Sequence, residues 1–95
     1  MTGERELLAR TAEIATAYVE SLDTRPVRPN QDYSQAFEAF DSPLPEGPTD
    51  PGEVIEGLAR LADPGLTAMG SGRYFGFVIG GSVPASLAAD WLVSA

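Results

Sequence analysis

Eight prolines divide this 95-residue chain, and their positions constrain its architecture more than any other feature. Proline has no N–H and a fixed φ, so a helix admits it in the first turn and not in the interior. The residue before it is pushed toward extended geometry. Pro26 and Pro29 fall in Asp23–Gln31 (DTRPVRPNQ), and Pro43, Pro45 and Pro48 in Asp41–Thr49 (DSPLPEGPT). Both stretches are therefore read as connectors. Pro51 and Pro84 stand where helices begin, and Asp63-Pro64-Gly65 stands where one ends. What remains between the prolines is short and apolar at helical spacing, so the fold class expected is mainly α.

Five segments follow. Residues 1–22 form an amphipathic helix with Leu7, Leu8, Thr11, Ile14, Ala15, Tyr18, Val19 and Leu22 at helical spacing. Thr2 is the expected N-cap, with Glu4 and Glu6 in the first turn, where the helix dipole favours negative charge. Two readings of this helix stay open: a docking arm on a partner subunit, or packing within its own chain. Residues 23–49 are a Pro-rich connector with a short helix near 33–40, where Tyr33, Phe37 and Phe40 fall at i, i+4 and i+7 and make one aromatic face, read as core. Arg25 and Arg28 could hold an anion, but solvated linker cations are the simpler reading. Residues 50–62 are a capped helix. Asp50 is its N-cap, Pro51 its first residue and Glu53 the capping-box carboxylate, with Val54, Ile55, Leu58 and Leu61 as the buried stripe. Gly57 inside it costs about 1 kcal/mol relative to Ala unless close packing requires it.

Composition removes whole classes of chemistry. The chain has no His, no Cys and no Lys, and all six cations are Arg. The commonest general base, the thiol nucleophile and the Schiff-base amine are therefore missing, and transition metals lose their favoured ligands. The fourteen Asp and Glu show no calcium-loop spacing and are read as solvated faces, caps and turns, so no metal site is expected. A net charge of −8 argues against nucleic acid and anionic membrane as partners. No apolar run reaches 18 residues and the first ten lack the pattern of a secretory signal, so a cytoplasmic location is expected. The absence of cysteine fits a reducing compartment.

The unusual chemistry is concentrated in Gly70–Ala95, GSGRYFGFVIGGSVPASLAADWLVSA. Within the linker and aromatic, glycine-rich segment 63–82, Arg73–Ile79 is expected to be extended. Gly80 and Gly81 then permit positive φ or close approach by a neighbour. Gly70-Ser71-Gly72 is not a dinucleotide loop, because no strand precedes it and no helix follows directly. Residues 83–95 form a helix capped at Ser82 or Val83, with Pro84 in its first turn and Leu87, Ala88, Trp91 and Leu92 expected to be buried. It reaches Ala95 without a stop signal and reads as a truncated frame.

Three blocks in order, RPVRP, PLPEGPTDPGEVIEGLARLADPGLT and GSGRYFGFVIGGSVPASLAADWLVSA, resemble the amino-terminal segment of the group II pyridoxal-phosphate-dependent decarboxylases, the aromatic-L-amino-acid and glutamate decarboxylase family. The resemblance covers essentially the whole chain and only the opening of the family. It rests most on the aromatic FGF run, the glycine and serine turn, the proline and the apolar helix after it. Family members often carry His and Pro where Ser71 and Gly72 stand.

What the resemblance implies is a type I pyridoxal-phosphate-dependent transferase fold, here incomplete, with its large α/β domain absent. It also implies an intimate homodimer or association with the rest of the decarboxylase chain. The activity is that of a carboxy-lyase on an amino-acid substrate, in which pyridoxal phosphate takes up the electrons as carbon dioxide leaves. The lysine that binds the cofactor would lie in the missing domain. By the same resemblance Phe77, Val78, Ile79 and Gly80 approach the substrate side of the pocket, with Phe75 as a supporting wall. No catalytic or cofactor-binding residue is assigned, because no side chain here offers an amine, and the chain is expected to be inactive alone. The alternatives are a non-enzymatic helical interaction module and a gene fragment without independent function.

Overall fold

A computed structural model describes residues 1–77 and 79–95. The chain is mainly α, and no strand occurs among the described residues. Four helices follow one another: α1 (Glu4–Ser21), α2 (Tyr33–Phe40), α3 (Pro51–Ala62), continued by a 3₁₀ turn over Asp63–Gly65, and α4 (Pro84–Ser94). Helix α3 is central and packs against α1 and α2. The radius of gyration is 15.3 Å, against roughly 12 Å for a compact domain of this length, so the helices are spread rather than bundled.

Each start has a local cause. Asp32 caps α2 through a reciprocal box: its carboxylate accepts from Gln35 N at 2.9 Å, and Gln35 Oε1 accepts from Asp32 N at 2.9 Å. Asp50 caps α3 as expected, accepting from Gly52 N at 3.0 Å and Glu53 N at 3.4 Å, with Pro51 in the first turn. The other half of the expected box is not formed among the described residues, so Glu53 contributes negative charge near the helix start and no bond back to Asp50. Gly3, not Thr2, is the N-cap of α1. Thr2 is drawn elsewhere: its hydroxyl donates to Asp50 Oδ2 at 2.6 Å, and its N–H donates to Asp50 Oδ1. A single carboxylate thus starts α3 and fastens the amino terminus beside it. Gly52 is required there, since a Cβ would stand 2.6 Å from the Thr2 hydroxyl.

Arg10 of α1 reaches α3, pairing with Glu56 through two nitrogens and with Glu13 at 2.9 Å. At the far end the connector after α1 crosses the segment after α3. Asn30 N donates to Pro64 O at 2.8 Å, and Ala68 N to Val27 O at 2.9 Å. Ala68, at 0% exposure, is the one buried apolar side chain among the described residues, and Ser71 the one buried polar residue. Enclosure is therefore deepest where two connectors cross, not along the helix stripes.

Several expectations are corrected by this arrangement. Arg25 is no solvated linker cation: its side chain is 14% exposed, it pairs with Asp63 at 3.0 Å, and it lies 4.7 Å over the Tyr18 ring. In α3, Ile55 and Leu61 are half-buried while Val54 and Leu58 are exposed. The aromatic face of α2 is not core, because Tyr33, Phe37 and Phe40 are all exposed. Tyr33 and Phe37 cover each other, with ring centroids 6.1 Å apart. In α4 only Leu87 is half-buried; Ala88, Trp91 and Leu92 are exposed. The physical reason is common to all: only α1 and α2 pack on α3 to any extent, and among the described residues no further layer covers the remaining apolar faces.

Candidate functional site

The aromatic and glycine-rich stretch begins from a rigid base. Ser71 N donates to Ala68 O at 3.1 Å, Arg73 N to Ser71 Oγ at 3.2 Å and Tyr74 N to Ser71 O at 3.1 Å, so residues 68–74 wind through consecutive tight turns. The Arg73 side chain folds inward, donating to Leu22 O at 3.0 Å and to Arg25 O. These are carbonyls at and just beyond the end of α1, where a cation is favoured by the helix dipole and free acceptors need a donor. The last turn of α1 carries no basic residue of its own. Arg73 supplies that charge from 51 residues away in sequence.

Beyond this base the chain turns outward. Arg73–Ile79 is not the single extended run expected: bends and turns occupy Arg73, Gly76 and Phe77, and Phe77 has φ 56°. A bulky residue in that left-handed region is sterically disfavoured. Gly80, at φ 71°, carries its positive angle without a Cβ penalty, whereas Gly81 shows none. Of the substrate-pocket candidates, Phe75 is 94% exposed and Phe77 89%, and Ile79 and Gly80 are also exposed. Val78 lies outside the described residues. The four described candidates form a projection, and they line none of the grooves described here. Between Gly76 and Val83 the described residues carry no titratable side chain. The projection can therefore offer apolar and aromatic contact, and neither acid–base nor nucleophilic chemistry.

Among the grooves of the described residues, two are lined by both α1 and α3. The larger, about 960 Å³, runs between α1, α3 and α4 and is walled by Ile14, Tyr18, Leu22, Leu58, Leu87 and Trp91. The other, about 550 Å³, lies between the start of α1 and that of α3 and gathers Glu6, Glu13, Asp50, Glu53 and Glu56 around Arg10. Hydrogen bonds from Thr2 hold the Asp50 carboxyl below its ordinary range, and the Arg10 guanidinium does the same for Glu56. The Arg10 guanidinium is held protonated still more firmly by its two carboxylates. Among the described residues no group of three or more acids converges so as to hold a metal ion, and no helix is long and apolar enough to cross a membrane.

Sequence reasoning missed Arg73 and Arg25 as the residues that seat this stretch. The ties that seat it span 38 to 51 residues, Arg25 to Asp63 and Arg73 to the carbonyls of Leu22 and Arg25, although Arg25 also has near neighbours in Ser21 and Tyr18. The one available signal was the lack of any basic residue in the last turn of α1. No family model, curated protein or solved structure matches the chain.

Proposed function

We propose that this chain is the amino-terminal segment of a pyridoxal-phosphate-dependent amino-acid decarboxylase, supplying dimer contacts and a wall of the substrate pocket, and incomplete as a catalyst. In this reading the fold to which it belongs is the type I transferase fold. The reading draws on the order of the three sequence blocks. The observation that carries it is the outward projection of Phe75 and Phe77 from a base fixed by Arg73. An apolar wall of a pocket completed by other protein needs this form: rings presented outward, with the backbone beneath them anchored. The residues present do not fit the cofactor itself. The chain has no lysine to form a Schiff base and no histidine to stack on a pyridine ring, so no step of the reaction is assigned to them.

A second reading, a non-enzymatic interaction module, is favoured by the same openness: Trp91, the α2 aromatics and most of α4 are exposed. The coding sequence beyond the Ala95 codon separates the two. The decarboxylase reading requires an open frame that continues into a lysine-bearing α/β domain, and a stop codon there would overturn it. Mixed with pyridoxal phosphate and an aromatic amino acid, the 95-residue chain itself is expected to release no carbon dioxide and to show no aldimine absorbance.

A further inference from the structure

Charge is distributed unevenly along this chain. Seven of the fourteen acids and none of the six arginines fall within residues 29–59, while the rest of the chain sets the other seven acids against all six arginines. One stretch therefore holds −7 of the net charge of −8. Part of it is used internally: Asp32 and Asp50 cap α2 and α3, and Glu56 pairs with Arg10. Glu38, Asp41 and Glu46 are exposed and have no ion-pair partner among the described residues. The same stretch carries the aromatic face of α2. Tyr33, Phe37 and Phe40 lie within about 60° of one another around the helix axis, at 100° per residue, and are exposed at 81%, 56% and 49%. Ala36 and Ala39 form the half-buried flank of a helix that packs on α3. Glu38 falls on the other side of the rings. The three rings, Ala36 and Asp41 line a shallow cup of about 340 Å³.

We propose that the aromatic face of α2 docks on a cationic amphipathic helix of another protein, with an apolar side chain of that helix in the cup and its Lys or Arg residues against Glu38 and Asp41. Two observations select this occupant. Anchors at i, i+4 and i+7 on one exposed helix face are the spacing by which helices are held in apolar contacts. The carboxylates beside the rings then choose the sign of the partner. A second copy would set −7 against −7, and nucleic acid or anionic lipid would meet the same repulsion. A cationic partner is attracted, and its charge can also lie over an exposed ring, the contact Arg25 makes with Tyr18 at 4.7 Å. This inference rests on the interaction-module reading and gives it a partner. A lysine-bearing domain beyond Ala95 would remove that reading, whereas failure of the contact tested below would leave it standing with a different partner.

The test is calorimetric titration of the full 95-residue chain with three synthetic peptides of equal length: an amphipathic helix of Lys and Leu, the same sequence with Ser for Leu, and the same sequence with Glu for Lys. The Lys/Leu peptide is expected to bind one to one, at least about tenfold more tightly than the Lys/Ser peptide, and the Glu/Leu peptide not to bind. Added salt weakens the complex, because opposite charges are screened. Phe37→Ala and Tyr33→Ala remove rings while favouring the helix, and each should raise the dissociation constant about tenfold or more. Glu38→Gln with Asp41→Asn should raise it several-fold at low salt. Glu4→Gln with Glu6→Gln removes the same charge from α1 and should change it by less than about twofold. Far-UV circular dichroism follows helix content in each variant. Should Phe37→Ala lower it, Tyr33→Ala, at the exposed first position of α2, decides. No binding of the Lys/Leu peptide overturns the proposal, as does equal binding of the Lys/Ser peptide. So does an affinity that Tyr33→Ala, or Glu38→Gln with Asp41→Asn, leaves untouched. Binding abolished by Phe75→Ser or Leu92→Ser instead moves the contact to the aromatic projection or to α4 and equally overturns it.

Discussion

Residues 2–74 and residues 75–95 are built on different physics. The first region is tied by charge-assisted and backbone hydrogen bonds between points distant in sequence: Thr2 to Asp50, Arg10 to Glu56, Arg25 to Asp63, Arg73 to Leu22, and Ala68 to Val27. The second has none of these. Among the described residues, every hydrogen bond beyond Tyr74 is local to α4 and its cap, such as Ser86 Oγ accepting from Val83 N at 3.2 Å. Apolar content runs the other way, since α4 and the aromatic turn are richer in it than α1. The polar region thus holds itself together, while the apolar region waits for cover. Hydrophobic burial is non-directional and needs a second surface, whereas a capped carboxylate or a seated guanidinium needs only its one partner.

That contrast is broken or sharpened most strongly at Ala68. A larger residue at its fully enclosed position must push apart the two connectors that Ala68 N and Val27 O hold together. Ala68→Leu is expected to destabilise by about 1–3 kcal/mol, the usual cost of overpacking. Thermal unfolding followed by circular dichroism reads it, and an unchanged midpoint would mean that the connector crossing is not the point of tightest packing.

The next effects are smaller and stabilising. Gly57 has open space where a Cβ would stand, so close packing does not require it, and Gly57→Ala should gain about 1 kcal/mol. Phe77→Gly relieves a left-handed backbone and should gain on the order of 1 kcal/mol as well. The second gain depends on the turn being fixed. If the backbone at Phe77 samples many conformations, only Gly57→Ala stabilises, and comparing the two in one denaturant series measures how firmly Phe77 is held.

Acid tests the ties themselves. Asp50 and Glu56 both have folded-state pKa values below their ordinary 3.8 and 4.5. Their stabilising contribution is therefore complete above about pH 5 and is lost as pH falls through the lowered values. Glu56 is exposed and Asp50 only half-buried, so solvent screening keeps the effect modest. Expected is a fall in the unfolding midpoint between about pH 5 and pH 3 that Asp50→Asn or Glu56→Gln reduces. A pH profile identical in wild type and both variants would remove the clasps from the account. Arg10 does not titrate in this range and adds no slope of its own.

The helices were legible because their signals are local. The prolines set the breaks, Asp50-Pro51 the start of α3, and apolar spacing the run of α1. The ties were not legible, since each joins residues far apart, and a threonine beside a helix start reads as a cap until a carboxylate 48 positions away claims it. Arg25 looks like a linker cation until Asp63, 38 positions away, pairs with it. Burial was misjudged in the other direction. Apolar stripes in α2, α3 and α4 mark surfaces that seek cover, but periodicity does not say whether the cover belongs to the same chain. For the candidate site, the aromatic residues were legible as unusual, while their outward placement depended on the turn at Phe77 and the seat made by Arg73.

The smallest expected effect is the most discriminating. Phe75 touches little of its own chain, and truncating an exposed side chain away from any cap, pair or cavity usually changes stability by less than about 0.5 kcal/mol. Phe75→Ser should therefore leave the unfolding midpoint where it was. A ring of this size at 94% exposure keeps a large apolar area in water, and association or pocket formation is what would recover that energy. A clear loss of stability in Phe75→Ser, measured at a concentration where the chain is monomeric, would mean that the ring packs on its own chain. The division at Tyr74 would then fall, because the two regions would share one core.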